Sequence, residues 1–294
     1  MSTLKTGVVQ ANGLQFHYLE MGEGPLALCL HGFPDSPWTY RHLLLELANT
    51  GYRAVAPFMR GYAPTEVPTD GRYHTSSLAT DVVALHNALG GDTRAVLIAH
   101  DWGSVAAYGG ATLEPEHWRR CAIMNVPPLA VFGQLAFRYD QIKRSFYFWF
   151  FQMQISNAIV PANDLAFING LWADWSPGFD AREELPRVKE CLRNPVNLQA
   201  AMGYYRALFD PTRFGSPEGM KEQEAVWGRP LVQPTLYLHG TQDGCIALDA
   251  ETAKKIPAFL GPGSEVERIE GVGHFMLVEN PVEINRRILQ FISK

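Results

Sequence analysis

Ala95-Val96-Leu97-Ile98-Ala99-His100-Asp101-Trp102-Gly103-Ser104 is the stretch on which the fold turns. Its first five residues are wholly apolar, the pattern of a strand buried on both faces. The spacing predicts that this strand runs directly into a helix starting near Trp102. Asp101 stands between them, with Ala99 two residues before it and Gly103 two residues after. Small residues at those positions permit a sharp strand-to-helix turn that lifts one side chain above a sheet. The plain alternative is an aspartate that merely caps the helix.

Outward from this unit the same alternation recurs. Upstream, residues 8–10 and 14–19 alternate in polarity around Asn12-Gly13, a hairpin turn signal. Leu26-Ala27-Leu28-Cys29-Leu30 reads as a buried strand, followed by a helix over 38–49 that stops at Gly51. A short strand at 53–56 and a helix over 76–89 complete the first half. After a strand at 121–125 the alternation stops, and it resumes with strands at 235–238 and 265–269 and a final helix over 281–292. This order predicts an α/β fold, a mostly parallel sheet flanked by helices. The interruption over 130–225 is helical in pattern and rich in Phe, Trp and Tyr. It is expected to form a helical cap on a core built from residues 1–129 and 226–294.

Composition narrows the partners. The 294 residues are 47% hydrophobic, enough to bury a full core, and 25 Lys and Arg stand against 30 Asp and Glu. With a net charge of −5 and no basic cluster, no nucleic-acid partner is expected. The aromatic run from Phe146 to Phe151 falls far short of the roughly 20 apolar residues of a membrane span, and residues 1–10 lack a secretory signal. The 4 cysteines have neither CxxC nor Cys/His ligand spacing, so reduced thiols, a cytoplasmic setting and no metal site are expected. The oligomeric state, a homodimer included, stays open.

In a doubly wound sheet ligands gather beyond the carboxyl ends of the strands. Asp101, Asp243 in His239-Gly240-Thr241-Gln242-Asp243, and His274 in Gly271-Val272-Gly273-His274 all fall at such ends. Singly, Asp243 reads as a turn-capping aspartate and His274 as a structural histidine. Together they form a nucleophile, an acid and a base in the chain order of the α/β hydrolases. His31-Gly32-Phe33-Pro34 follows another strand, where the Phe33 N–H is placed to pair with that of Trp102 as an oxyanion hole. Ser104 suggests a serine nucleophile, but the bulk of Trp102 does not suit an elbow centred there.

HGFPDSPWTYR (31–41), RGY (60–62), HDWGS (100–104), the loop Asp243 and the terminal GVGH together resemble the epoxide hydrolases and haloalkane dehalogenases of the α/β hydrolase fold, over nearly the whole chain. The resemblance implies Asp101 as a covalent nucleophile toward a small apolar epoxide, water as the second reactant, and no cofactor. It also implies two cap tyrosines that hold the epoxide oxygen. Tyr205, in Tyr204-Tyr205-Arg206, matches one such segment, and Tyr147 before Phe151-Gln152 matches the other without the usual Pro-Gly after the Gln. Trp102, Trp149 and Phe33 are expected to wall the pocket. A haloalkane dehalogenase is the alternative. It needs a halide donor beside Trp102, and because Phe33 stands where many dehalogenases carry Asn, that donor would have to come from Trp149, Trp172 or Trp175. A non-catalytic ligand-binding homologue is the non-enzyme alternative.

Overall fold

Strand β3 (Leu26–Leu30) and strand β5 (Val96–His100) are buried along their whole length in the computed structural model, which describes residues 3–213 and 215–294. They form the middle of an 8-stranded sheet ordered β1-β2-β4-β3-β5-β6-β7-β8, with β1 (Lys5–Ala11), β2 (Leu14–Met21), β4 (Arg53–Pro57), β6 (Arg120–Met124), β7 (Thr235–Gly240) and β8 (Glu265–Ile269). Only β1 with β2 and β2 with β4 pair antiparallel; all later pairings are parallel. The β1–β2 hairpin closes through Asn12 and Gly13, both at positive φ as the sequence signal requires.

Parallel register has a direct consequence for function. Leu28 pairs with Leu97, Ile98 with Ala122, and Ile123 with Tyr237, so β3, β5, β6 and β7 end along one edge. The loops that leave this edge carry His31 to Pro34, Asp101, Asn125 and Asp243.

Helices α1 (Arg41–Asn49), α2 (Thr75–Ala88) and α3 (Trp102–Leu113) cover the sheet. The helix expected over 38–49 is shorter, because Pro37–Tyr40 forms a separate 3-10 turn. The reason is tertiary: the Tyr40 hydroxyl donates to the Leu30 carbonyl at 2.7 Å and ties that turn to the end of β3.

Between β6 and β7 the only regular elements among the described residues are helices: α4 (Leu129–Leu135), α5 (Tyr139–Arg144), α6 (Phe146–Phe150), α7 (Ser156–Ile159), α8 (Ala162–Trp175), α9 (Leu185–Leu192), α10 (Pro195–Leu208) and α11 (Pro217–Trp227), with a 3-10 turn at Ala181–Glu183. Two short helices, α12 (Ala250–Ala253) and α13 (Met276–Glu279), precede α14 (Pro281–Ile292). In α14 the Asn280 side chain accepts from the Glu283 N–H, Pro281 occupies the first turn, and Ile284, Ile288, Phe291 and Ile292 face the core. Each such buried side chain contributes about 1.5–3 kcal/mol. Among the described residues no helix is long and apolar enough to cross a membrane.

Candidate active site

Asp101 sits at φ 53°, ψ −122°, a conformation that a residue with a Cβ rarely adopts. The surrounding packing enforces it. A Cβ at Gly32 would strike the Asp101 carboxylate, and one at Gly103 would strike the Leu30 carbonyl, so both glycines let β3 and the turn approach closely. The Phe33 N–H donates to Asp101 Oδ1 at 2.7 Å. Trp102 is the first residue of α3, and helix geometry leaves its N–H without an intrahelical acceptor. The Phe33 N–H therefore lies against the Asp101 carboxyl, and the Trp102 N–H, the next backbone donor along the chain from Asp101, has no helical acceptor.

His274 brings the other two residues together. Its Nδ1 lies 3.1 and 3.2 Å from the Asp243 oxygens, and its Nε2 lies 3.5 Å from Asp101 Oδ2 without a hydrogen-bond partner. All three side chains are buried. The loop of His274 is fixed from several sides: its N–H donates to the Trp175 carbonyl, and its carbonyl accepts from His100 Nε2 at 2.9 Å.

Asp243 is held just as firmly. Its Oδ1 accepts from the Cys245 and Ile246 N–H groups at 2.7 and 3.0 Å, and its Oδ2 from Asn125 Nδ2 at 2.7 Å. Burial works to raise its pKa, but His274 outweighs it, helped by His239 and by the Asn125 bond. Asp243 therefore stays well below the usual carboxylate range. Burial also works against the charged form of His274, yet Asp243 and Asp101 overcome it and raise its pKa to about 10. The resting imidazole is thus protonated at neutral pH. It loses part of that support whenever Asp101 loses its charge.

The sheet edge opens into a cavity of about 150 Å3 lined by Asp101, Trp102, Tyr147, Phe148, Tyr205 and Cys245 among others. Tyr147 and Tyr205 pack edge to face with ring centres 5.2 Å apart. Burial raises the pKa of both hydroxyls well above the ordinary phenol value, so they remain proton donors. The Tyr147 hydroxyl also lies 3.3 Å from Cys245 Sγ. Burial, followed by Asp243 and Asp101, likewise raises the Cys245 thiol and keeps it neutral.

Two expectations about the pocket wall need correction. Trp149 does not line the cavity: it is 42% exposed and packs on Phe209. Two residues along an α-helix turn the side chain through about 200°, so with Tyr147 facing inward in α6, Trp149 faces outward. Phe33 lies behind the lining, its ring edge-on to Tyr205 at 5.2 Å. Ser104 is no nucleophile here; its hydroxyl is buried and donates to the Met124 carbonyl.

The match to known proteins fits this architecture. Residues 25–281 match the family model described as the alpha/beta hydrolase fold. The chain belongs to that family. Among similar proteins, one named "Epoxide hydrolase" from Caballeronia sordidicola is 27% identical, the match covering 97% of this chain and 92% of that one. "Epoxide hydrolase A" of Mycobacterium tuberculosis is also 27% identical, over 97% of this chain and 96% of its own. The crystal structure of a Bacillus megaterium epoxide hydrolase in complex with an inhibitor superposes with a TM-score of 0.83 at 26% identity, covering 98% of this chain and 100% of that chain.

Sequence reasoning missed three members of this α/β hydrolase's site. Asn125 directly follows β6, at a strand end where a polar residue is a candidate by position alone. Cys245 and Arg144 at the end of α5, whose guanidinium donates to the Asp243 carbonyl at 2.8 Å, carry no local signal. Their roles come from contacts across the fold.

Proposed function

We propose that this chain is an epoxide hydrolase that opens a small, largely apolar epoxide to a vicinal diol through an ester on Asp101. The observation that carries this reading is the pair of buried, protonated tyrosines, Tyr147 and Tyr205, lining the same cavity as the Asp101 carboxylate. The names of the relatives point the same way.

In the first half-reaction Asp101 attacks an epoxide carbon while the two phenols donate to the ring oxygen, stabilising charge as the C–O bond breaks. The alkoxide takes a proton and the alkyl ester remains. Esterification removes the Asp101 charge, one of the two that hold His274 protonated. His274 then releases its proton, which makes good the one the alkoxide took, and becomes the base that draws a proton from water. Hydroxide adds to the ester carbonyl, and the Phe33 and Trp102 N–H groups receive the oxyanion. Asp243 stabilises the imidazolium as the diol leaves.

Within this reading the helices over 130–225 act as a cap that brings the tyrosines to a core of residues 1–129 and 226–294. A cytoplasmic setting suits the four free, buried cysteines. A dehalogenase is less well served. The Trp172 indole N–H, one candidate second halide donor, is already given to the Pro34 carbonyl at 2.7 Å, and Trp149 faces outward. The intact triad weighs against a non-catalytic homologue. Parallel incubation with an aryl epoxide and a bromoalkane tests the assignment: diol without bromide is expected, and bromide release without diol overturns it.

A further inference from the structure

Cys245 adds a thiol to a site whose reaction does not use one. One ligand atom from each of Asp101, Cys245 and His274 lies within 4.8 Å of the others, and all three residues are buried. The ligand atoms of a tetrahedral zinc site, with bonds of about 2.0–2.3 Å, stand roughly 3.3–3.8 Å apart. Closing the cluster on an ion therefore takes shifts of about 1 Å or less, within the reach of small side-chain rotations. His274 Nε2 is buried and makes no hydrogen bond; it lies 3.5 Å from Asp101 Oδ2, itself one of the three groups, so once deprotonated its lone pair can turn to an ion that the carboxylate shares.

We propose that Cys245 Sγ, His274 Nε2 and an Asp101 carboxylate oxygen form an inhibitory site for a thiophilic divalent cation such as zinc or cadmium. Sulfur, imidazole and carboxylate together suit these ions and not the harder magnesium or calcium. On binding, the thiol proton and the Nε2 proton leave to solvent and the metal–sulfur and metal–nitrogen bonds replace them. A fourth position faces the cavity, open to water or to the Tyr147 hydroxyl, which already contacts Cys245 Sγ. The cation takes the carboxylate oxygen that would attack substrate and the nitrogen that would activate water. Occupancy thus blocks both half-reactions, and a chelator restores them. The proposal rests on the positions of these side chains and not on the identity of the substrate. Metal binding without epoxide turnover would leave the site standing and remove only the proposed function.

Cadmium titration of the full chain tests it, read by the ultraviolet thiolate-to-cadmium charge-transfer band. A single saturable site is expected. Removing even an outer partner of a metal ligand costs about 10–100-fold in affinity, so loss of a ligand itself should cost at least about 100-fold. Cys245→Ser and Cys245→Ala should lose the band, and His274→Gln and Asp101→Asn should weaken binding by that factor, with thermal melts confirming that each variant is folded. A band that survives both Cys245 variants, or binding indifferent to His274 and Asp101, overturns the proposal. X-ray absorption of the wild-type cadmium complex gives the ligand set without any variant. One sulfur with nitrogen and oxygen is expected; no sulfur, or several, refutes the site.

Discussion

Replacing Tyr205 with Phe removes one hydroxyl and leaves the packing in place. The ring keeps its edge-to-face contacts with Phe33 and Trp102, both at 5.2 Å, and its tilted contact with Phe148 at 4.9 Å, and no cavity is created. The stability cost is at most that of the one hydrogen bond between the hydroxyl and the Trp102 side chain, about 1 kcal/mol, or a few degrees in Tm for a chain of this size. The kinetic cost is much larger. A donor aimed at an oxygen that gains charge in the transition state is worth about 2.7–4 kcal/mol, roughly a 100- to 1000-fold change in rate. Stopped-flow tryptophan fluorescence suits the measurement, because Trp102 packs against Tyr205 and Trp175 lies 5.1 Å from the His274 ring. With an aryl epoxide, the alkylation phase of Tyr205→Phe should slow by about 100-fold or more, while ester hydrolysis stays within a few-fold. A folded Tyr205→Phe variant that alkylates at the wild-type rate would sink the ring-opening role. A loss confined to Tyr205→Phe, with Tyr147→Phe unaffected, would leave the Tyr147 hydroxyl to its contact with Cys245.

Further expectations follow from the triad and its supports. His274→Gln should still form the ester but not hydrolyse it, so an adduct of the epoxide's mass should accumulate on the intact protein; turnover without an adduct would refute the role of His274 as base. Gly32→Ala should displace the Asp101 carboxylate and lower kcat by at least about 100-fold, the scale of misplacing a reacting group by about 1 Å, and wild-type kcat would show that the close approach is dispensable. Asn125→Ala strips a buried carboxylate of a donor and should cost about 1.5–3 kcal/mol in urea unfolding; an unchanged midpoint would contradict the bond. The pH dependence of stability has a definite sign. The pKa of His274 is raised to about 10, so its charged form stabilises the fold fully below its unfolded pKa of about 6.5. That contribution fades as pH rises toward 10. The stability advantage of wild type over His274→Gln should therefore be larger at pH 6 than at pH 10, and an advantage that grows with pH would reverse the assignment of charge.

The legibility of the chain followed the range of each signal. β3 and α14 were readable to the residue because an apolar run and a helical stretch that opens on Pro281 are local features. Asp101, Asp243 and His274 stood out because each lies beyond a strand marked in the sequence, and the structure brings the three side chains together. The inward face of α6 was not, since Phe146 to Phe151 is aromatic at every position and periodicity cannot tell Tyr147 from Trp149. The helix expected over 38–49 broke at Tyr40 through a bond to Leu30 that no local pattern announces. The Asn125 and Cys245 contacts likewise join residues about a hundred positions apart or more.

The central claim is the ester on Asp101, and single-turnover hydrolysis in ¹⁸O-water with enzyme in excess tests it most directly. If water attacks the ester carbonyl, the diol carries an oxygen that came from Asp101, and the solvent label appears in the Asp101 carboxylate, readable by mass on the peptide that contains it. Label in the diol of the first turnover, with the Asp101 peptide unlabelled, would mean that water attacks the epoxide directly and that no ester forms.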